Sequence, residues 1–159
     1  MKSKKIATLG LVTALAMILS YVEALVPLSI AVPGVKIGLP NIAVIYALYR
    51  LGVKEACAVS LVRVFLVSLL FGNAMSLAYS VAGAVLSLAV MIPLMKSGRF
   101  GVTGTSVAGG VMHNVGQILV AIILLETGAL AYYLPVLCVS GVIAGVCVGV
   151  VSSILIIRT

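Results

Sequence analysis

The chain has 159 residues, 64% hydrophobic and 8% charged, whereas a soluble domain of this length carries about a quarter charged residues. That balance excludes an ordinary water-soluble domain. The net charge of +7 does not indicate nucleic acid, because the basic residues stand singly between apolar blocks and form no stripe interleaved with aromatics.

A bilayer core takes roughly 20 apolar residues per helix. The first candidate helix runs from Ile6 to Val26. Lys2, Lys4 and Lys5 ahead of it, with Ala14-Leu15-Ala16 inside it, resemble a signal peptide and its cleavage site. The apolar run continues through Ala16-Met17-Ile18-Leu19 to Val26, so an uncleaved helix is expected. From Pro27 to Gly38 the chain is broken by Pro27, Pro33 and Gly34. Its apolar Leu28, Ile30, Val32 and Val35 suggest a segment folded back over the bundle, with a plain connecting loop as the alternative. The second helix, Gly38 to Leu51, is short and opens on Gly38-Leu39-Pro40-Asn41. Proline is tolerated there because first-turn amides have no intrahelical acceptor. Four more helices follow: Lys54 to Phe71, Ala74 to Met95, Val102 to Leu125, and Tyr132 to Ile157. The reading is one all-α integral membrane domain over residues 1–159, a bundle of six transmembrane helices.

Lysine and arginine beside membrane helices prefer the cytoplasmic side. With the N-terminus inside, Arg50, Lys54, Lys96, Arg99 and Arg158 all fall on that side, Lys36 falls outside, and Arg63 lies within a span. Both termini are therefore expected in the cytoplasm.

Aspartate is absent and the acids are Glu23, Glu55 and Glu126, which excludes most hydrolytic and phosphoryl-transfer constellations. Magnesium-diphosphate chemistry needs several convergent carboxylates as hard oxygen ligands. A GxxxxGK[ST] loop is also absent, so ATP hydrolysis would have to come from a partner. Cys57, Cys138 and Cys147 lie in apolar runs without CxxC spacing and suggest neither zinc nor a disulfide framework. No metal, no cofactor and no catalytic residue is expected.

Charges inside a membrane are costly and turn toward a partner or a cavity. Arg63 follows Lys54 by about two and a half turns and so reaches mid-membrane. It either serves a ligand or is tied to helix-end carbonyls or a structural acid, although no acid is expected at its depth. In the fifth helix His113, Asn114 and Gln117 share one helical arc at a similar level. They make either a binding face or interhelical hydrogen-bonding glue. Glu23, Lys36, Asn41 and Asn73, with Tyr21 and Tyr79, sit toward the outer face, where plain interfacial solvation is the alternative; Tyr132 and Tyr133 read as an aromatic belt. Lys36 with Arg63 would form a positive path from outside and favour an anionic ligand.

Small residues mark close helix contacts. Gly141, Gly145 and Gly149 repeat every four positions in the last helix, and Gly10 with Ala14 gives a smaller version in the first. The former suits packing inside the bundle. The latter suits either packing or docking to another membrane subunit.

Four stretches carry a family resemblance: Pro33-Gly34-Val35-Lys36-Ile37-Gly38-Leu39-Pro40-Asn41-Ile42; Lys54-Glu55-Ala56 through Ser60-Leu61-Val62-Arg63-Val64; Tyr79-Ser80-Val81-Ala82-Gly83-Ala84; and His113-Asn114-Val115-Gly116-Gln117. Over nearly the whole chain they resemble the bacterial membrane family known as Gx transporter or heptaprenyl diphosphate synthase component I. That family is similar in turn to the substrate-binding S components of energy-coupling-factor transporters, six-helix bundles with an outward pocket under external loops. The resemblance implies a subunit of the bacterial cytoplasmic membrane that takes up a small molecule, anionic or isoprenoid-related. It would work with an energy-coupling membrane subunit and its ATPases, with Gly10 and Ala14 as docking stripe. Lys36, Asn41, Arg63, His113, Asn114 and Gln117 match family motif positions, and we assign them to the ligand. The enzyme name implies a second reading, a non-catalytic accessory subunit of heptaprenyl diphosphate or quinone synthesis, since prenyl elongation uses aspartate-rich motifs. The accessory reading expects a long apolar groove open to lipid; the uptake reading expects a compact polar pocket.

Overall fold

The computed structural model describes residues 2–25 and 37–158. Its helices are α1 (Lys2–Leu25), α2 (Asn41–Tyr46, continued by a π-helical turn at Ala47–Leu51), α3 (Val53–Phe71), α4 (Ala74–Ser97), α5 (Val102–Leu125) and α6 (Leu134–Arg158). A 3-10 turn at Gly128–Tyr133 leads into α6, and the described residues contain no strand. The six helices agree with the sequence expectation to within a few residues at each end.

The breaks follow local chemistry. Gly52, at φ 122°, takes a backbone conformation that L side chains rarely adopt and so separates α2 from α3. Asn73 caps α4, its Oδ1 accepting from the Ser76 amide at 2.8 Å. That capping bond gives Asn73 a structural task.

Among the described residues, four helices are long and apolar enough to cross a membrane. α3 has 19 residues but carries Lys54, Glu55 and Arg63. α2 and its π turn have six and five residues, about 16 Å at ~1.5 Å per residue and half of a ~30 Å hydrocarbon core. Large apolar side chains point outward: Ile6, Leu11, Leu69, Ile123 and Ile157 are each at least 69% exposed. Such a surface suits lipid as solvent, so the chain is a membrane protein.

Lipid tails are as apolar as leucine, so helices associate in a membrane through close packing more than through hydrophobic burial. The tightest seams join α5 to α6 and α4 to α5. A Cβ at Gly145 would lie 2.6 Å from the Val107 Cα, and one at Gly149 would lie 2.6 Å from the Thr103 Cα. The glycine repeat of α6 therefore brings its backbone directly onto α5. α3 packs on α4 and α1 on α3, while α2 sits against α6, α3 and α1.

This arrangement encloses α2. Ala43, Val44, Ile45, Ala47 and Leu48 are all buried and pack with Val12 and Ala16 of α1, Ala56 and Val59 of α3, and Val148 of α6. The helix ends at this side of the bundle are cross-linked by polar contacts. Lys5 pairs with Glu55 at 2.5 Å, the Arg50 guanidinium donates to the Ile156 carbonyl, and the Tyr49 hydroxyl bonds Thr105 Oγ1 at 2.9 Å. The basic residues of α1, of the α2–α3 junction and of α6 thus gather at one end, as the alternation of crossings requires.

Candidate functional site

α2 fills only the basic half of the ring. Above its first residues lies a cavity of about 260 Å³, floored by Gly38, Pro40 and Asn41. Its walls hold Ser20 and Glu23 of α1, Arg63 and Ser68 of α3, Ser76 and Ser80 of α4, and His113 and Asn114 of α5. Gly141 of α6 completes the wall.

Arg63 is the dominant charge. It is 9% exposed, and its Nε has no hydrogen-bond partner among the described residues. A buried guanidinium nitrogen in that state is costly, because desolvation is not repaid by a bond. The arginine therefore faces the interior of the bundle, as its position ten residues into α3 implies.

The acid nearest in effect is Glu23. Its Oε1 accepts a hydrogen bond from the Gly38 amide at 2.7 Å, which ties the end of α1 to the approach to α2. Gly38 takes φ +78°, so a Cβ here would strain the backbone. Glu23 attracts Arg63 electrostatically, yet the two form no ion pair. The sequence reading puts Glu23 toward the outer face without linking it to Arg63, and the structure adds that electrostatic link. The last turns of α1 line the cavity through Ser20, Glu23 and Ala24, and Glu23 is half-buried there.

His113 and Asn114 approach from the opposite wall. Gly83 makes room for the histidine: a Cβ at position 83 would come within 2.9 Å of His113 Cε1. Asn114 Nδ2 donates to the Leu137 carbonyl at 2.6 Å and to Ser140 Oγ at 3.5 Å, so both its N–H groups join α5 to α6 and its side-chain oxygen remains to offer a ligand. Asn114 is both wall and interhelical glue.

Asn41 lines the floor as expected, whereas Gln117 does not line the cavity. The helical arc joining Gln117 to His113 is right. The cavity meets α5 at Gly110, His113 and Asn114, and toward the outer end Ala24, Phe71, Gly72 and Ser76 bound it. Tyr21 and Phe71 stack at that end with ring centroids 5.4 Å apart. Lys36, and the connection predicted to fold back from Pro27, lie outside the described residues up to position 36.

Sequence reasoning missed the serine hydroxyls and the inward role of Glu23. Their spacing carried a signal: Ser20 and Glu23 are three apart, Ser76 and Ser80 four apart, each pair on one helical face. A second hollow, lined by Leu77, Ala78, Val81, Ala82, Val85 and Gly116 among others, lies along α4 and α5 and is apolar, wide and shallow.

The sequence pattern of the heptaprenyl diphosphate synthase component I family matches residues 12–155. The chain belongs to that family. No curated protein and no solved structure matches it. In this member of the heptaprenyl diphosphate synthase component I family the matched span includes Arg63, Glu23, Asn41, His113 and Asn114, and so the whole described cavity. Among the described residues no three His, Cys or acidic side chains gather as a metal site.

Proposed function

We propose that this protein is a non-catalytic membrane subunit of heptaprenyl diphosphate and quinone synthesis that holds a small anionic molecule at Arg63. Family membership supports the pathway, and the family's description as a component supports a partner carrying the catalytic machinery. The observation that carries the binding role is Arg63 itself, nine-tenths buried, lining a polar cavity and without an ion pair among the described residues. Elongation is left to the partner because this chain has no aspartate to hold magnesium diphosphate. At about 260 Å³ the cavity lies below the ~300–1,000 Å³ of sites for drug-sized ligands, so a heptaprenyl chain would not lie within it. A long tail would have to run along lipid or the apolar hollow of α4 and α5.

The test is reconstitution. Membranes holding this chain and the catalytic component should incorporate labelled isopentenyl diphosphate into heptaprenyl products faster than membranes holding the catalytic component alone. Equal rates would remove the accessory role.

A second reading, substrate capture for energy-coupled uptake, draws on a different observation. Gly10 and Ala14 are both exposed, and a Cβ at Gly10 would meet nothing within 4 Å. That outward small-residue face suits docking to a membrane partner, which in this reading is an energy-coupling subunit with its ATPases. The enclosed polar cavity also suits uptake. Both readings place the chain in the bacterial cytoplasmic membrane with its basic end, and both termini, in the cytoplasm.

A further inference from the structure

The cavity presents two fixed charges of opposite sign, held apart. Arg63 is buried with an unpartnered Nε, while Glu23 is fixed by the Gly38 amide and makes no ion pair with Arg63. In a medium of low dielectric such charges attract strongly, and each needs a compensating partner. The hydrogen bond to Gly38 engages Oε1 and leaves Oε2 of Glu23 as a further acceptor, and both residues line the cavity. A ligand carrying only negative charge would satisfy Arg63 and be repelled by Glu23. A diphosphate, with two or more negative charges, would be repelled most.

We infer that the ligand is a small dipolar molecule, with an anionic carboxylate or phosphate at Arg63 and an ammonium group at Glu23. The inference rests on the reading of this cavity as a binding site and narrows what that site accepts. The cavity volume permits it, since about 260 Å³ has room for two polar groups and a short linker. The ammonium donates to Oε2, the oxyanion accepts from the guanidinium, and the Ser68, Ser76 and Ser80 hydroxyls lie along the same walls. A free zwitterion and a phosphoethanolamine lipid headgroup share this chemistry.

Matched probes test it on the purified full chain in nanodiscs of phosphatidylcholine. O-phosphoethanolamine and 4-aminobutyrate should bind at least tenfold more tightly than ethyl phosphate and butyrate, which lack the ammonium. Glu23→Gln keeps an oxygen acceptor for the Gly38 amide and removes the charge; it should erase most of that preference while leaving the thermal midpoint unchanged. Arg63→Ala should abolish binding of all four probes. Adding phosphatidylethanolamine to the nanodiscs should weaken probe binding if the headgroup is the source and leave it unchanged if a free zwitterion is; either result fits the inference. Equal or tighter binding of the anion-only probes, or a preference that survives Glu23→Gln, would overturn the dipolar ligand and leave an anion site standing. Failure of all four probes to bind wild type would overturn the inference together with the binding role itself.

Discussion

Glu23 accepts a hydrogen bond from the Gly38 amide at 2.7 Å, so the last turn of α1 and the approach to α2 are fastened together at the cavity wall. The bond depends on Gly38 keeping φ +78°. Gly38→Ala should cost about 1–2 kcal/mol from the left-handed conformation alone, seen as a lowered thermal midpoint. It should also loosen ligand retention. An unchanged midpoint would mean that this turn is not held as described.

Arg63→Ala should leave a folded bundle that no longer retains its ligand, because hydrogen bonds to charged groups contribute about 1.5–3 kcal/mol, roughly ten- to hundredfold in affinity. Arg63→Lys should keep only part of the affinity, since the ammonium lacks the planar fork that grips an oxyanion at two points. Native mass spectrometry of protein purified from its own membranes reads both outcomes. Full retention in Arg63→Ala would exclude the arginine from binding.

How much of this could be read from the sequence divides along physical lines. Helix positions were legible because lipid imposes long apolar runs, and Gly141, Gly145 and Gly149 announced a close seam by their spacing. Arg63, His113 and Asn114 were legible as costly polar groups at one depth. Glu23 was legible only as an outer-face residue, because periodicity does not show how far a cavity runs along a helix or that the Gly38 amide comes within reach of the carboxylate. Gln117 shares the helical arc of His113, yet the cavity meets α5 only at Gly110, His113 and Asn114, since an arc gives the face of a side chain and not the extent of a cavity along it. Asn73 looked like a site residue and caps a helix, since capping depends on a boundary residue that periodicity locates only roughly.

Gly145→Leu should disrupt the bundle. Even a Cβ there would lie 2.6 Å from backbone, and backbone cannot yield as a flexible side chain can. Overpacking costs about 1–3 kcal/mol in ordinary cores, and a clash against main chain belongs at or above the upper end. Loss of the folded species on size exclusion in detergent is the expected result. A wild-type thermal midpoint would contradict the α5–α6 seam.

Gly10→Leu and Ala14→Leu should behave in the opposite way. Both positions are exposed, so the stability should stay within about 0.5 kcal/mol of wild type, read as a nearly unchanged thermal midpoint. Association with a membrane partner should weaken severalfold in co-purification, because larger side chains hold helices apart. Unchanged association in both variants would remove this face from the interface.

Topology is testable at Ser97 and Thr127, both exposed and at opposite ends of α5. In a cysteine-free background, a cysteine at 127 should react with an impermeant thiol reagent in intact cells and one at 97 should not. Reaction at 97 would reverse the orientation.

At Gly141 two demands meet in one small volume. A Cβ there would lie 3.0 Å from both the Asn114 amide nitrogen and the Gly110 carbonyl oxygen, and the residue itself faces the cavity. A mutational screen scored by ligand capture would rank position 141 beside Arg63, although a glycine has no side chain with which to touch anything. Its hits would report a helix seam forced open, so substitutions at 141 belong among the controls for folding, and the recognition chemistry has to be sought at the charged residues facing it.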